Sequence, residues 1–402
     1  MFIIAIFSSI LSSCSSSSIA VPPTVLSSDP PITPPPVQTH ENSFYVDSSI
    51  GSDLSTGTFT SPWQTIQKAV KTAQAGDTIY IRGGNYTTIF GGWSFQNSGT
   101  RTRPITLTNY PGEQVVIEIT QPSHDYRAFG CWYAPPDPPD WQTTKADFIR
   151  IIGSDVAPHV LSNGTTSHKG IVIQGVPGIT AGIEVGGDCD NWEVAGIDFV
   201  DVGYAIFTKK RVFRTTEDNS PNYWYVHNNR VYGFYRESGM QFNGNYNRIE
   251  NNEIYKVDNQ SLTPYGCQLL NINGNNNIIS RNTLSRSDST IQCLGILLEW
   301  DLADKNIIEQ NTISNIAGNG SLVIAGGDNN VIRQNTIYAA SSDWFYIYPD
   351  RIGFTGWPCN EETNDVSDIP ANNPAAPDYQ YYYPHNCSSV GNQIYGNTVI
   401  KP

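Results

Sequence analysis

NNNIISRNTL, residues Asn275 to Leu284, reads as polar surface sequence, yet it places isoleucine and leucine where a core needs them. Near copies flank it. The pattern Asn-x-Ile-x-x-Asn-x-(Ile, Leu or Val) occurs at Asn247 to Ile254 (NRIENNEI), Asn277 to Leu284, Asn306 to Ile313 (NIIEQNTI), Asn330 to Ile337 (NVIRQNTI) and Asn392 to Val399 (NQIYGNTV). Trp224 to Val231 (WYVHNNRV) lacks only the first Asn, and Trp192 to Phe199 (WEVAGIDF) is a degenerate earlier copy. The second Asn falls at 229, 252, 282, 311, 335 and 397. Spacings of that size signal a solenoid, and the last interval holds two coils plus an insertion.

The local pattern selects the kind of solenoid. Apolar residues alternate for a few positions, break at Asn and resume, which is strand, sharp turn, strand. A further short strand precedes each motif, at Met240 to Asn243, Gln268 to Asn273, Ile296 to Trp300 and Leu322 to Ala325. Helical periodicity is missing from this region. Three short strands per coil resemble the right-handed parallel β-helix, an all-β fold whose coils stack about 4.8 Å apart. Each coil must turn at the same place. Asn tolerates left-handed backbone angles, and stacked amides can bond from coil to coil as an asparagine ladder. The repeat therefore holds the chain up, and chemistry belongs elsewhere.

Ser61-Pro62-Trp63 followed by QTIQKAVKTAQAGD predicts a short capping helix with Ser61 as N-cap, Pro62 at the first helical position and Gly76 as terminator. Ile66, Ala69, Val70 and Ala73 form its apolar face. The whole opening, Phe44 to Tyr86, is similar to the N-terminal cap of many secreted β-helix proteins, polysaccharide lyases and glycosidases among them. That resemblance implies one β-helix domain over residues 43–402, capped by 43–86, and a carbohydrate-active role. Loop insertions are expected near 121–147 and 341–390, both rich in aromatics.

The 402 residues carry a net charge of −14, which disfavours nucleic acid as a partner. Phe2 to Leu11 is an apolar run suited to a signal-peptide core. Leu11-Ser12-Ser13-Cys14 resembles the lipobox of bacterial lipoproteins, in which the cysteine is lipidated after cleavage; ordinary export with loss of residues 1–14 is the alternative. Residues 15–42 are Ser- and Pro-rich, a spacer unable to bury a core. The expected place is the cell envelope or the outside, as a monomer that touches a membrane only through a lipid anchor. Six cysteines remain, an even number that suits disulfides. The coil register pairs Cys267 with Cys293, Cys359 and Cys387 would staple the second insertion, and Cys131 and Cys189 are left over.

In β-helix enzymes the cleft lies along the strand preceding each motif. Its outward groups here are Gln241, Asn243, Asn271, Asn273 and Glu299, with Lys209, Lys210, Arg211 and Arg214 at a basic end and Arg236 and Glu237 entering the next coil. A lyase must neutralise a uronate, remove the adjacent proton and protonate the leaving oxygen. Lys209, Lys210 or Arg211 could neutralise or act as base, with a Tyr as acid. A glycosidase needs two carboxylates, for which Glu299 with Glu237 or Asp301 are candidates. Each of these charges also has an ordinary reading as a solvated surface group.

Polygalacturonases carry Asp-Asp and Gly-His-Gly, and this chain has neither. The lyase family with the most similar cap uses a calcium site with adjacent aspartates, also missing here, and the six His lack metal-ligand spacing. No metal site is expected from the residues, calcium remaining open through the resemblance alone. Two classes of function fit: a lyase or hydrolase of polysaccharide, and a non-catalytic glycan-binding, adhesion or structural β-helix.

Overall fold

The computed structural model describes residues 42–400 except 124, 134–144, 179, 210–219, 257–266, 287–292, 300–302, 317–319, 326, 340–344 and 349–390. Cys14, Lys210, Arg211, Arg214, Asp301, Cys359 and Cys387 thus lie outside the described residues, as does the proposed leader and spacer.

Three parallel sheets of eleven, ten and nine strands form a right-handed β-helix. Each coil runs through the first, second and third sheet in turn. The sheets are unequal because Ser43–Val46 enters the first sheet alone, and Gln393–Tyr395 and Thr398–Ile400 have no third-sheet strand after them among the described residues. The coil of the opening stretch supplies Gln268–Ile272, Ile278–Ser280 and Thr283–Arg286 to the third, first and second sheets. Side chains of like position stack through the core: Ile249 under Ile279, Ile308 and Ile332, and Ile254 under Leu284, Ile313 and Ile337, all fully buried.

The second Asn of each motif is a ladder residue, as its amide chemistry requires. Asn282 Oδ1 accepts from the Asn252 backbone N–H at 2.9 Å and from Asn252 Nδ2 at 3.0 Å. Its own Nδ2 donates to Ile249 O at 2.8 Å and Asn311 Oδ1 at 3.0 Å. The left-handed backbone, however, falls one residue earlier, at Asn228, Asn251, Arg281, Gln310 and Gln334. Division of labour explains this correction: one residue absorbs the turn so that the next can aim its amide inward. The first Asn also stacks, each Oδ1 accepting the previous coil's N–H at 2.8 Å through Asn247, Asn277, Asn306, Asn330 and Asn392. In the two earlier coils Trp192 and Trp224 hold that place, stacked 5.1 Å apart, with both indole N–H groups donating to backbone carbonyls.

The helix spans Ile66–Thr72, and Ile66, Ala69, Val70 and Ala73 are buried as expected. Its N-cap is Thr65, whose side chain accepts from Lys68 N–H, and not Ser61. Asp53 decides this by binding Thr65 Oγ1 at 2.7 Å and the Gln64 and Thr65 N–H groups, which pins Pro62 and Trp63 outside the helix. The helix closes at Ala73, and Gly76 takes a left-handed turn (φ 96°) beyond it.

Two further corrections concern insertions. The stretch 121–147 contains Arg127–Tyr133, a regular strand of the third sheet, whose glycine and aromatics hide its alternation. Phe345–Tyr348 is likewise a third-sheet strand inside 341–390. A hairpin that the sequence reading missed, Asp155–Val160 with Thr166–Lys169, stands apart as a two-stranded sheet around Gly164. Cys267 bonds Cys293 with Cα atoms 4.5 Å apart, one coil from the next, and Cys131 bonds Cys189. Separations of 26 and 58 residues make these worth about 3.5 and 4 kcal/mol on the loop-entropy view.

Candidate functional site

Outward positions of the third sheet form two rows, because alternate residues of a strand share a face. In the first row Gly130, Glu184, Phe207, Gln241, Asn271, Leu297 and Val323 lie side by side in successive coils. Two residues further along, the second row holds Gly186 and Lys209 and, by the same register, Asn243, Asn273 and Glu299. The two rows mix amides and charges with Phe207, Leu297 and Val323, and Lys209 is the residue of the expected basic end that lies among the described residues.

Arg127, Glu184 and Lys209 form its core. Glu184 is 6% exposed. Arg127 Nη1 donates to its Oε2 at 2.9 Å, and Lys209 Nζ approaches Oε1 at 3.4 Å. Two glycines clear the path for the Arg127 side chain. A Cβ at Gly92 would meet Arg127 Cγ at 2.4 Å, and one at Gly130 would meet Cδ at 3.1 Å. The Arg127 Nε also donates to Gly91 O at 3.0 Å, so the guanidinium is fixed at two points. Lys209 Nζ sits 4.7 Å from the Phe207 ring centre, a cation–π contact that leaves the side chain partly exposed.

Phe207 leads back along its strand. It stacks on Tyr204 at 4.5 Å, and the Tyr204 hydroxyl donates to Glu237. Burial, and after it the charge of Glu237, pushes the Tyr204 phenol far above its ordinary range. Arg236 lies over the Tyr204 ring at 5.6 Å and against Glu237 at 3.2 Å. Arg236 and Glu237 thus sit at the turn between second and third sheets, joined to the first row through Tyr204 and Phe207.

At the other end Asn271 Nδ2 donates to Glu299 Oε2 at 2.9 Å, the Asn243 and Asn273 amides touch at 2.6 Å, and Gln241 Nε2 lies 3.4 Å from Asn243 Oδ1. Two carboxylates for glycoside hydrolysis should stand about 5 to 10 Å apart. Glu237 and Glu299 are separated by two coils and six positions along the strand, roughly 20 Å between Cα atoms. Lys209 and Glu299 are three coils apart, roughly 14 Å. The structure brings Lys209 together with Glu184 and Arg127, and brings neither Glu237 nor Lys209 to Glu299.

Sequence reasoning missed Glu184 and Arg127. Glu184 has a legible signal, a charge between the inward Ile183 and Val185, but its coil carries the degenerate repeat. Arg127 was hidden by the misassigned insertion. Calcium needs six to eight oxygen ligands. Among the described residues no three acid, His or Cys groups gather to hold a metal, and Glu184 is occupied by two cations. The described residues therefore do not make a calcium cage.

Fold and rows together define a right-handed parallel β-helix protein with outward amides and charges on one sheet. The family described as Pel9A-like, right handed beta helix region, matches residues 44–295, more than half of the chain, and the protein belongs to that family. It is 47% identical over 68 residues to pectate lyase PEL9 of Emericella nidulans, which covers 17% of this chain and 16% of that one. It is 42% identical over 67 residues to the uncharacterized protein YwoF of Bacillus subtilis, 17% of this chain and 14% of that one. The matched stretches thus span about a sixth of these relatives or less. Among solved structures, an alginate lyase from Paenibacillus sp. aligns with 76% of this chain and 99% of its own at 13% identity and a TM-score of 0.46.

Proposed function

We propose that the protein is an exported enzyme that cleaves a uronate-containing polysaccharide by β-elimination along the third sheet. The observation that carries this reading is Lys209, held beside the buried Arg127–Glu184 pair at the end of a row of outward amides. The family and the local similarity to a pectate lyase support the substrate class, and the disulfides support an oxidising location. Lys209 Nζ, once it has released its own proton to solvent, takes the proton from the carbon next to the uronate carboxylate. The electron pair forms a carbon–carbon double bond, the bond to the glycosidic oxygen breaks, and that oxygen leaves with a proton from solvent. Lys210 and Arg211, the next residues in the chain, are the candidates for neutralising the carboxylate. Gln241, Asn243, Asn271 and Asn273 offer donors and acceptors to sugar hydroxyls further along. Lipidation at Cys14 would tether the enzyme to the envelope.

A second reading, non-catalytic glycan binding, is favoured by one observation: the amides touch one another and Glu299 is bonded to Asn271, as in a recognition surface. A panel of polygalacturonate, rhamnogalacturonan, alginate and neutral xylan decides. Ultraviolet absorbance of an unsaturated product establishes elimination. New reducing ends without that absorbance establish hydrolysis and sink the lyase reading. Retention on a polysaccharide without any product leaves the binding module.

A further inference from the structure

At eight successive corners between third and first sheets one residue takes a left-handed backbone. The series is Phe148, Asn191, Tyr223, Tyr246, Asn276, Lys305, Asn329 and Gly391, with φ between 55° and 69°. Asn and Gly adopt this conformation cheaply, and bulky side chains do not. Tyr223 and Tyr246 take it in consecutive coils while remaining 54% and 51% exposed. Burial therefore does not offset the strain. The rings stack on each other 5.1 Å apart and within 8° of parallel, so they form one rigid aromatic block. Their backbone is equally fixed: Tyr223 N–H donates to Asn245 O and Tyr246 N–H to Asn275 O, both at 3.0 Å. The preceding residues, Asn222 and Asn245, are locked in a side-chain ladder of their own, with Asn245 N–H donating to Asn222 Oδ1 at 2.7 Å. Strain held by an over-determined surround is a mark of function.

The block stands at the corner that follows the third-sheet strand. Tyr246 follows Asn243 by three residues, so their Cα atoms are within about 11 Å. A ring face with a hydroxyl at its edge matches a pyranose, which presents an apolar C–H face rimmed by hydroxyls. We propose that Tyr223 and Tyr246 form an aromatic subsite that stacks a pyranose ring of a polysaccharide whose neighbouring units lie on Asn243 and Asn273. This rests on the glycan-binding part of the function proposed above, and holds whether or not a bond is broken.

The test replaces both tyrosines with the residue found at three of the other six corners, in Tyr223→Asn/Tyr246→Asn, beside the conservative Tyr223→Phe/Tyr246→Phe. Full-length proteins are run in native gels containing polygalacturonate or alginate, and melted in parallel. The Asn variant should melt at or above the parent's temperature, because Asn relieves the strain, yet bind about fivefold or more weakly; the Phe variant should bind within about twofold of the parent. An Asn variant retained as strongly as the parent overturns the subsite. So does one that loses binding and melts lower, which assigns the pair to folding. A parent retained in neither gel overturns the underlying glycan reading instead, and is recognised because no variant enters into it.

Discussion

Lys209 and Glu184 meet across one rung of the third sheet, Nζ to Oε1 at 3.4 Å, while Arg127 holds the other carboxylate oxygen at 2.9 Å. The long contact is the one to the exposed partner, so the lysine is positioned by Glu184 yet open to a substrate. Lys209→Ala should therefore lower turnover of a uronate polymer by about 10²- to 10⁴-fold, the range for loss of a general base, with an unchanged melting temperature. Glu299→Gln, three coils away, should cost less than about tenfold. Initial rates on the best polymer of the panel check both. A Lys209→Ala enzyme within tenfold of the parent removes the lysine from the chemistry.

Glu184 itself should matter to stability. Its side chain and that of Arg127 are both about nine-tenths buried. Removing one partner of such a pair strands the other charge, at a cost of about 3 kcal/mol. Glu184→Ala should lose that much in urea unfolding, whereas the double change Arg127→Met/Glu184→Leu should recover most of it. Equal losses in the single and double variants would show that packing, and not the stranded guanidinium, sets the cost.

The repeat made the coils legible because stacking forces the same residue type into the same place each time. Asn277, Ile279, Asn282 and Leu284 were readable to within a residue for that reason, and Cys267 with Cys293 followed from the same register. Where the repeat decays, legibility went with it. Arg127–Tyr133 carries a glycine and three large aromatics and reads as a loop, which hides Arg127, and Glu184 lies in a coil with no Asn ladder to count from. The left-handed corners were misplaced by one residue because sequence shows which positions recur, and only geometry shows which of two adjacent polar residues turns the chain. Glu299 and Lys209 fall in one register row, and the three coils between them decide what they can do together.

The two asparagine ladders should differ in strength. Asn282 makes four amide bonds to its neighbours, whereas Asn277 accepts one backbone N–H and its Nδ2 finds no partner among the described residues. Loss of several buried bonds, with Asn252 left unsatisfied, puts Asn282→Ala at about 3 kcal/mol or more, and Asn277→Ala at about half that. Urea midpoints at unchanged slope provide the comparison. Matching losses at the two positions would refute the difference in bonding.

A third ladder runs beside these, with carboxylates towards both ends and amides between them. Asp147, Asp190, Asn222, Asn245 and Asn275 each accept the next coil's backbone N–H between 2.7 and 3.0 Å. Burial, and after it the charges of Asp188 and Asp147, pushes the Asp190 carboxyl up to about 7 against the pull of the Asn222 N–H and Lys145. In the unfolded chain it would titrate near 4. The folded protein thus keeps a proton that the unfolded chain has released, so this group's contribution is complete below about pH 4 and is lost as pH rises through about 7. Asp190→Asn offers Asn222 the same oxygen without a titration, as Asn222, Asn245 and Asn275 do for the coils after them. The variant should unfold at higher urea than the parent at about pH 8, and the two midpoints should converge near pH 4. Asp147, also raised by burial, titrates in both proteins. A gap between parent and variant that stays constant from pH 4 to 8 would mean that Asp190 is already ionised in the folded ladder.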